Sequence, residues 1–344
     1  MKNDKRDGKY PMERREFILR SLETAAAISM LPLAGRLALG AEAKTGAAST
    51  ANSVSKVCLV RTERNMSPNS DNAEIIGRMI DEGIKYITGG DAPEKYWKKN
   101  FRPGERVAIK VSAVINKQIN FGPQIAGEII KNLKSAGLKE ENIFIYERNS
   151  RSLKAAGYKV NRGGKGPQSY GNDEGGYCDH EDSHGKFSDS FCNVVDRADA
   201  LINMPILKAH TLTGVSVALK NHYGSFKSPE KCHANGCDPY IADVNATRTI
   251  SSKHRIVICD AMRVLYAGGP EFVPEYTVDF NGIIVSTDPV AVDAVGANIV
   301  RKLRNESGKK PLPYYTKPKY IETAAKMGLG NSAPDMIDFK TITI

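Results

Sequence analysis

The sequence predicts an α/β fold, a mostly parallel sheet flanked by helices, carried by residues 56–344 as a single domain with its core in 56–304. Three features predict it. Short Val/Ile-rich runs of strand length alternate with longer stretches whose apolar residues recur at helical spacing. The alternation repeats at intervals of about 35 residues, the length that a strand–helix–strand crossover needs. A long glycine-rich stretch, residues 158–190, then breaks the rhythm and reads as a loop inserted into the domain.

Residues 1–43 stand apart from that pattern. A polar, basic start leads into Glu13-Arg14-Arg15-Glu16-Phe17-Ile18-Leu19, two arginines followed by a spacer, Phe and an aliphatic residue. A weakly apolar run from Ala25 to Leu39 follows, interrupted by Pro32 and Arg36, too short and too polar for a stable membrane span. Ala41-Glu42-Ala43 then offers small residues where a signal peptidase cuts. This order predicts a twin-arginine signal peptide and export to the periplasm, with the translocase as a transient partner. Residues 44–55, rich in Ala, Ser and Thr, read as a linker.

The domain's elements follow in order. Val57 to Val60 is a first strand, and Asn72 to Ile87 a helix through Ile75, Ile76, Met79, Ile80 and Ile84. Residues 88–103 are polar. Arg106 to Val114 alternates as a strand, Pro123 to Ala136 is a helix closed by Gly137, and Asn142 to Glu147 is the next strand. After the glycine-rich stretch, Ala200 to Leu207 reads as a strand. Leu212 to Tyr223 fits helical spacing, although Val215, Val217 and Leu219 also alternate, and helix is the expectation. Tyr240 to Ile250 reads as a helix, and Arg255 to Cys259 and Gly282 to Val285 as strands. Asp288-Pro289 opens a long helix, with a capping residue and proline at the first helical position. The tail adds a short helix and an edge strand.

Composition narrows the function. Hydrophobic residues at 41% and charged residues at 26% are ordinary for a water-soluble globular chain. The formal charge is +10, and the signal contributes eight Lys/Arg against six Asp/Glu, which leaves a scattered surplus of about eight on the mature part. Such a surface favours anionic partners. With no basic run or nucleic-acid motif, nucleic acid is excluded as a partner. Cys58 and Cys259 fall inside apolar runs and read as buried hydrophobes, while Cys178 with Cys192 and Cys232 with Cys237 are candidate disulfides in an oxidising compartment. No ferredoxin-type cysteine spacing occurs.

Residues 203–243 hold the densest polar constellation. Ligands of a parallel α/β sheet gather where strands end and helices begin. Lys208, His210, Lys220 and Asn221 are therefore the expected catalytic and anion-holding groups, with Thr211 and Thr213 assisting from near a helix start. His222, His233 and Asp243 are the expected metal ligands. Asp293 lies in the apolar run Val290-Ala291-Val292-Asp293-Ala294-Val295; a buried carboxylate requires a partner, which Lys208 or Lys220 would supply. Asp260 and Asp288 join the set as cofactor-binding candidates, Asp288 also reading as a helix cap. His180-Glu181-Asp182-Ser183-His184 matches the H-E-x-x-H zincin pattern, but that chemistry needs a helix and the match sits among glycines.

The stretch Ile202-Asn203-Met204-Pro205-Ile206-Leu207-Lys208-Ala209-His210, then Thr213-Gly214-Val215-Ser216-Val217-Ala218-Leu219-Lys220-Asn221 and Gly224, resembles the central motif of the family called domain of unknown function 362. Val107 to Val111, Ile258 to Ala261 and Ile284 to Asp293 resemble its early strand, its strand-plus-Asp element and its closing motif. The resemblance covers about residues 56–300 and implies the same fold and site, without a settled activity. Some relatives carry a four-iron ferredoxin module whose cysteines this chain lacks. The expectation is an exported enzyme that depends on a divalent metal or other cofactor and acts on a small anionic substrate. The alternatives are an accessory binding protein for an exported redox enzyme and an iron–sulfur electron carrier.

Overall fold

The structure is a computed structural model that describes residues 53–90, 92–113, 120–309 and 316–344, all within one compact unit, Ala47–Ile344. The twin-arginine segment and residues 44–52 of the linker lie outside the described residues.

Chain order runs β1 (Ser55–Arg61), α1 (Ala73–Thr88), α2 (Pro93–Asn100), β2 (Val107–Val111), α3 (Gly122–Ser135), β3 (Ile143–Glu147) and α4 (Ser150–Ala155). Next come β4 (Gln168–Gly171), α5 (Asn172–Gly175), the hairpin β5 (Asp182–His184) and β6 (Phe187–Asp189), and α6 (Asn193–Asp196). The site-bearing part is β7 (Ala200–Met204), β8 (Ile206–His210), β9 (Gly214–Ser216), α7 (Ala218–Asn221), α8 (Tyr240–Ala246) and α9 (Arg248–Ser251). The chain closes with β10 (His254–Leu265), β11 (Thr277–Ser286), α10 (Pro289–Glu306), α11 (Lys319–Lys326) and β12 (Ile337–Thr343).

Ten strands form one sheet in the order β12-β1-β11-β10-β7-β2-β3-β4, with β8 and β9 branching from β10. Along the main path β11 alone runs against its neighbours, so the sheet is mostly parallel, as the alternation of strands and helices predicts. Both faces are covered, the general condition of a parallel sheet. Ile75, Ile76, Met79 and Ile80 of α1 and Ile125 and Ile129 of α3 pack with Ile109, Ile145, Ile202 and Ile258 on one face. Val290, Val292 and Val295 of α10 pack with Leu201, Val257, Cys259 and Ile284 on the other.

Several elements differ from the sequence reading: β10 runs on past Cys259 to Leu265, β11 begins already at Thr277, α2 forms inside the polar stretch 88–103, and four further differences bear on the site. Leu212 to Tyr223 is not one helix. Gly214, at φ 79°, turns the chain back so that β9 pairs antiparallel with β8, Lys208 opposite Ser216 and His210 opposite Gly214. The alternation of Val215 and Val217 thus outweighs the helical spacing, and Leu212 is exposed. Pro205, which lacks an N–H, splits the expected strand Ala200 to Leu207 into β7 and β8. Thr247, with extended ψ of 148°, splits Tyr240 to Ile250 into α8 and α9. The glycine-rich stretch is not a bare loop, for it carries β4, α5 and the β5–β6 hairpin. All six cysteines are free thiols, so neither expected disulfide forms, while Cys58 and Cys259 are fully buried as expected. Among the described residues no helix is long and apolar enough to cross a membrane.

Candidate functional site

At the carboxyl ends of the central parallel strands, one rung of the sheet is polar. Tyr146 of β3, Lys110 of β2 and Asn203 of β7 lie side by side, since Lys110 is in register with both neighbours. The Lys110 Nζ reaches three acceptors, the Val111 carbonyl at 2.7 Å, Glu147 Oε2 at 3.1 Å and Asn221 Oδ1 at 3.4 Å. Glu147 in turn accepts the backbone N–H groups of Ala113 at 3.1 Å and Arg148 at 2.6 Å. Lys110 at 1% exposure and Glu147 at 6% thus form a buried, satisfied ion pair.

Helix α7 and the turn after it dock on this rung. Asn221 Nδ2 donates to the Lys110 carbonyl at 3.0 Å and to Asn203 Oδ1 at 2.8 Å. Asn203 Nδ2 donates to the Ala218 carbonyl at 2.8 Å and lies 3.2 Å from His222 Nε2. With Nε2 accepting, His222 carries its proton on Nδ1 and donates it to Ser225 Oγ at 3.3 Å, which lies 3.0 Å from the Tyr146 hydroxyl. Burial keeps His222 neutral, its pKa well below the ordinary value. Gly224 is required by close approach: a Cβ there would stand 2.5 Å from Glu147 Oε1 and 2.8 Å from Lys110 Nζ.

Lys220, the residue before Asn221, faces the other way. Its ammonium sits 3.9 Å from the Tyr223 ring centroid and 3.9 Å from Cys237 Sγ. Lys220 is 7% exposed, and among the described residues no carboxylate lies within ion-pair distance of it. Burial lowers its pKa, partly offset by Cys237. Lys208 on β8 is buried nearby. Its pKa falls from 10.5 to about 8, chiefly through burial, with Lys220 and Lys110 adding repulsion and Glu147 opposing. His210 Nδ1 accepts the Leu212 N–H at 3.2 Å, and its pKa is driven far down by burial and then by Lys220, Lys208 and His233. His233 packs edge-on against Tyr223 with centroids 5.5 Å apart, and burial with Lys220 lowers its pKa too. Lys208, His210, Lys220 and His233 therefore gather within one another's fields, a concentration of buried positive charge and neutral imidazoles.

The remaining sequence candidates have other places. Asp293 is fully buried, but its partners are not lysines. Oδ1 accepts the N–H groups of Ala218 at 2.7 Å and Leu219 at 3.2 Å, and Oδ2 accepts the Tyr320 hydroxyl at 2.9 Å. It caps the helix that presents Lys220 and Asn221, and burial raises its pKa to about 7. Asp260 lies within β10 opposite Ile206 of β8, and its N–H donates to the Pro205 carbonyl at 2.8 Å. It accepts the Met262 N–H at 2.9 Å, burial raises its pKa to about 7, and it joins Glu147 in the field around the buried Tyr158 phenol.

Thr211 and Thr213 lie in the β8–β9 turn rather than at a helix start, and their hydroxyls donate to the carbonyls of Gly269 and Val215. Asp288 caps α10 through Val290 and Ala291, and also accepts from Ser55 and Asn331. Because β11 is antiparallel, Asp288 sits at the opposite rim of the sheet, where a surface cavity of about 480 Å³ opens between Lys56, Thr287 and Leu329.

The expected metal set does not assemble. His222 is spent in the Asn203–Ser225 chain and His233 stands beside Tyr223. Asp243 instead holds the β5–β6 turn, accepting the Lys186 N–H at 2.9 Å and facing His184 Nδ1 at 3.3 Å. His180 pairs with Asp196 and His184 with Asp243, and both histidines lie on a hairpin or its approach. The H-E-x-x-H stretch therefore lacks the helix and the common face that a zincin requires. Sequence reasoning left Glu147, a strand-ending carboxylate that reads equally as cleft-facing or turn-forming, with no assigned role, and passed over Lys110 and Asn203 as parts of the site. Their signal was available: in a parallel sheet both faces are buried, so the even position in Val107-Ala108-Ile109-Lys110-Val111 points inward as surely as the odd ones.

No curated protein is matched by the sequence. Among solved structures, the lactate racemase apoprotein from Thermoanaerobacterium thermosaccharolyticum is similar at 12% identity and a TM-score of 0.34, over 74% of this chain and 58% of that one, less than two thirds of its length. The family description "Domain of unknown function (DUF362)" matches residues 107–298, a span that takes in the polar rung, the buried lysines and Asp293, and the chain belongs to that family.

Proposed function

We propose that this protein binds a small anionic molecule at Lys208 and Lys220 and acts on it by proton transfer. The observation that carries the reading is Lys220, an ammonium buried against an aromatic ring and a thiol with no carboxylate in reach among the described residues. A buried charge of that kind is stabilised when an anion completes its surroundings. Lys208, with a pKa of about 8, supplies a second charge and, as the fraction of free amine present near neutral pH, the proton acceptor, while His210, a poor base because burial and the neighbouring lysines drive its pKa far down, stays neutral beside it. Asn221, fixed by the Lys110–Glu147 pair, and Asp293, capping α7, act as positioning residues that set where Lys220 stands.

Titration calorimetry of the mature chain with inorganic phosphate and with malonate tests the anion site. One anion per chain is expected, with affinity at least about tenfold weaker in Lys220→Met, the loss of one charge-assisted contact. Equal affinity in wild type and Lys220→Met would refute the reading. The Arg14-Arg15 signature supports a second part of the proposal, that the protein is exported to the periplasm through the twin-arginine translocase. Replacing both arginines with lysine should leave the unprocessed precursor in the cytoplasm, as read by cell fractionation.

A further inference from the structure

Outside the lysine site, three side chains of metal-ligand type converge on the glycine-rich segment. Cys178 Sγ, a nitrogen of His180 and a carboxylate oxygen of Asp196 all lie within 4.8 Å of one another. His180 Nε2 is already 3.3 Å from Asp196 Oδ1. A tetrahedral Zn²⁺ with bonds of about 2.0–2.3 Å sets its ligand atoms about 3.3–3.8 Å apart, so closing this set takes side-chain movement of only about 1 Å.

The backbone holds the three together before any metal arrives. Tyr177 bridges to Cys192, the Cys178 N–H donates to the Phe191 carbonyl at 2.9 Å, and the Asn193 N–H donates to the Gly176 carbonyl at 3.0 Å. These bonds fasten the Cys178 strand beside the start of α6, whose last residue is Asp196. From the other side Lys253 Nζ clamps α6 by its Val195 and Asp196 carbonyls, at 2.8 and 2.6 Å. His180 Nδ1 lies 3.6 Å from Oδ1 of the exposed Asp179, beyond hydrogen-bond reach, so Asp179 adds negative charge beside the site without orienting the ring.

We infer that Cys178, His180 and Asp196 bind a zinc ion that ties the glycine-rich segment to α6. One thiolate, one imidazole and one carboxylate make a borderline-soft set that suits Zn²⁺ rather than Mg²⁺ or Ca²⁺, and water completes the fourth position. Binding replaces the Cys178 thiol proton, which now points to the His180 carbonyl at 3.1 Å, so one proton leaves as the metal enters. The site takes its ligands from the segment that the H-E-x-x-H pattern advertised, but uses only the first histidine of that pattern, with partners on either side of it.

The test is a titration of the reduced, metal-stripped mature chain with Zn²⁺ alone, followed by Co²⁺ as a spectroscopic probe. One Zn²⁺ per chain is expected. Affinity should fall by more than about tenfold in Cys178→Ser, His180→Ala and Asp196→Asn. The Co²⁺ form should show a thiolate-to-cobalt charge-transfer band that Cys178→Ser abolishes while Cys232→Ser and Lys220→Met keep it. If Cys178→Ser does not fold, the band in wild type, retained in Cys232→Ser and lost in His180→Ala, carries the same information. Absence of zinc binding, a Co²⁺ form without a thiolate band, or unchanged affinity in His180→Ala overturns the inference.

Discussion

A lysine ammonium inside a protein shifts its titration before it does anything else, and Lys208 shows this directly. Its folded pKa of about 8 lies below the unfolded value of 10.5. Below pH 8 both states carry the charge and the fold bears its full desolvation cost. Between pH 8 and 10.5 the unfolded chain binds more protons, so Lys208's contribution to stability rises with pH and levels off above 10.5. Urea unfolding of wild type against Lys208→Met, compared across that window, should show wild type gaining about 3 kcal/mol relative to the variant. The Lys110–Glu147 pair behaves differently because every group in it is satisfied. Lys110→Met leaves Glu147 buried without its cation and should cost about 3–5 kcal/mol, read by the same unfolding curves.

At the scale of elements, the short helix α7 owes its position to a carboxylate from another helix. Asp293→Ala removes the acceptor for two N–H groups and a tyrosine hydroxyl, and should cost about 1–3 kcal/mol in chemical unfolding. Asp293→Asn keeps an acceptor oxygen and should cost less. Because the folded pKa of Asp293 is raised to about 7 from 3.8, the folded state holds its proton longer than the unfolded chain. Wild-type stability should therefore decline relative to Asp293→Asn as pH rises from about 4 to 7 and stay level above that. Tight approach between elements gives a second test. Gly224→Ala drives a methyl group into the Lys110–Glu147 pair and should destabilise by about 1–3 kcal/mol, whereas a surface glycine with open space, such as Gly127, should accept alanine without loss.

For the molecule as a whole, the mostly parallel sheet was legible in the spacing of strands and helices, whereas Asp260, expected to end its strand, lies inside β10, which runs on to Leu265. Two properties hid the rest. An apolar run carries no direction, so nothing in Gly282 to Val285 revealed that β11 runs backwards and takes Asp288 to the far rim. A short polar segment obeys its tertiary partner rather than its own period. Gly214 to Ser216 pairs with β8 instead of coiling, which left Thr211 and Thr213 in a turn. The histidines were visible as residue types, but partners outside their own motifs decide their use: a hydrogen bond to Asn203 for His222, and the carboxylate of Asp196, beyond the zincin-like pattern, for His180. Lys110 was hidden for the opposite reason, because a lone lysine in a strand resembles solvated surface until both sheet faces are known to be covered.

The lysine site is tested most directly by NMR titration of the Lys208 side chain in the folded domain, Ala47–Ile344, with and without inorganic phosphate. The account predicts an ammonium that loses its proton near pH 8 in the free protein and regains a pKa closer to 10.5 when phosphate or a small carboxylate is bound. A Lys208 that titrates at the ordinary lysine value and does not respond to either anion would contradict it.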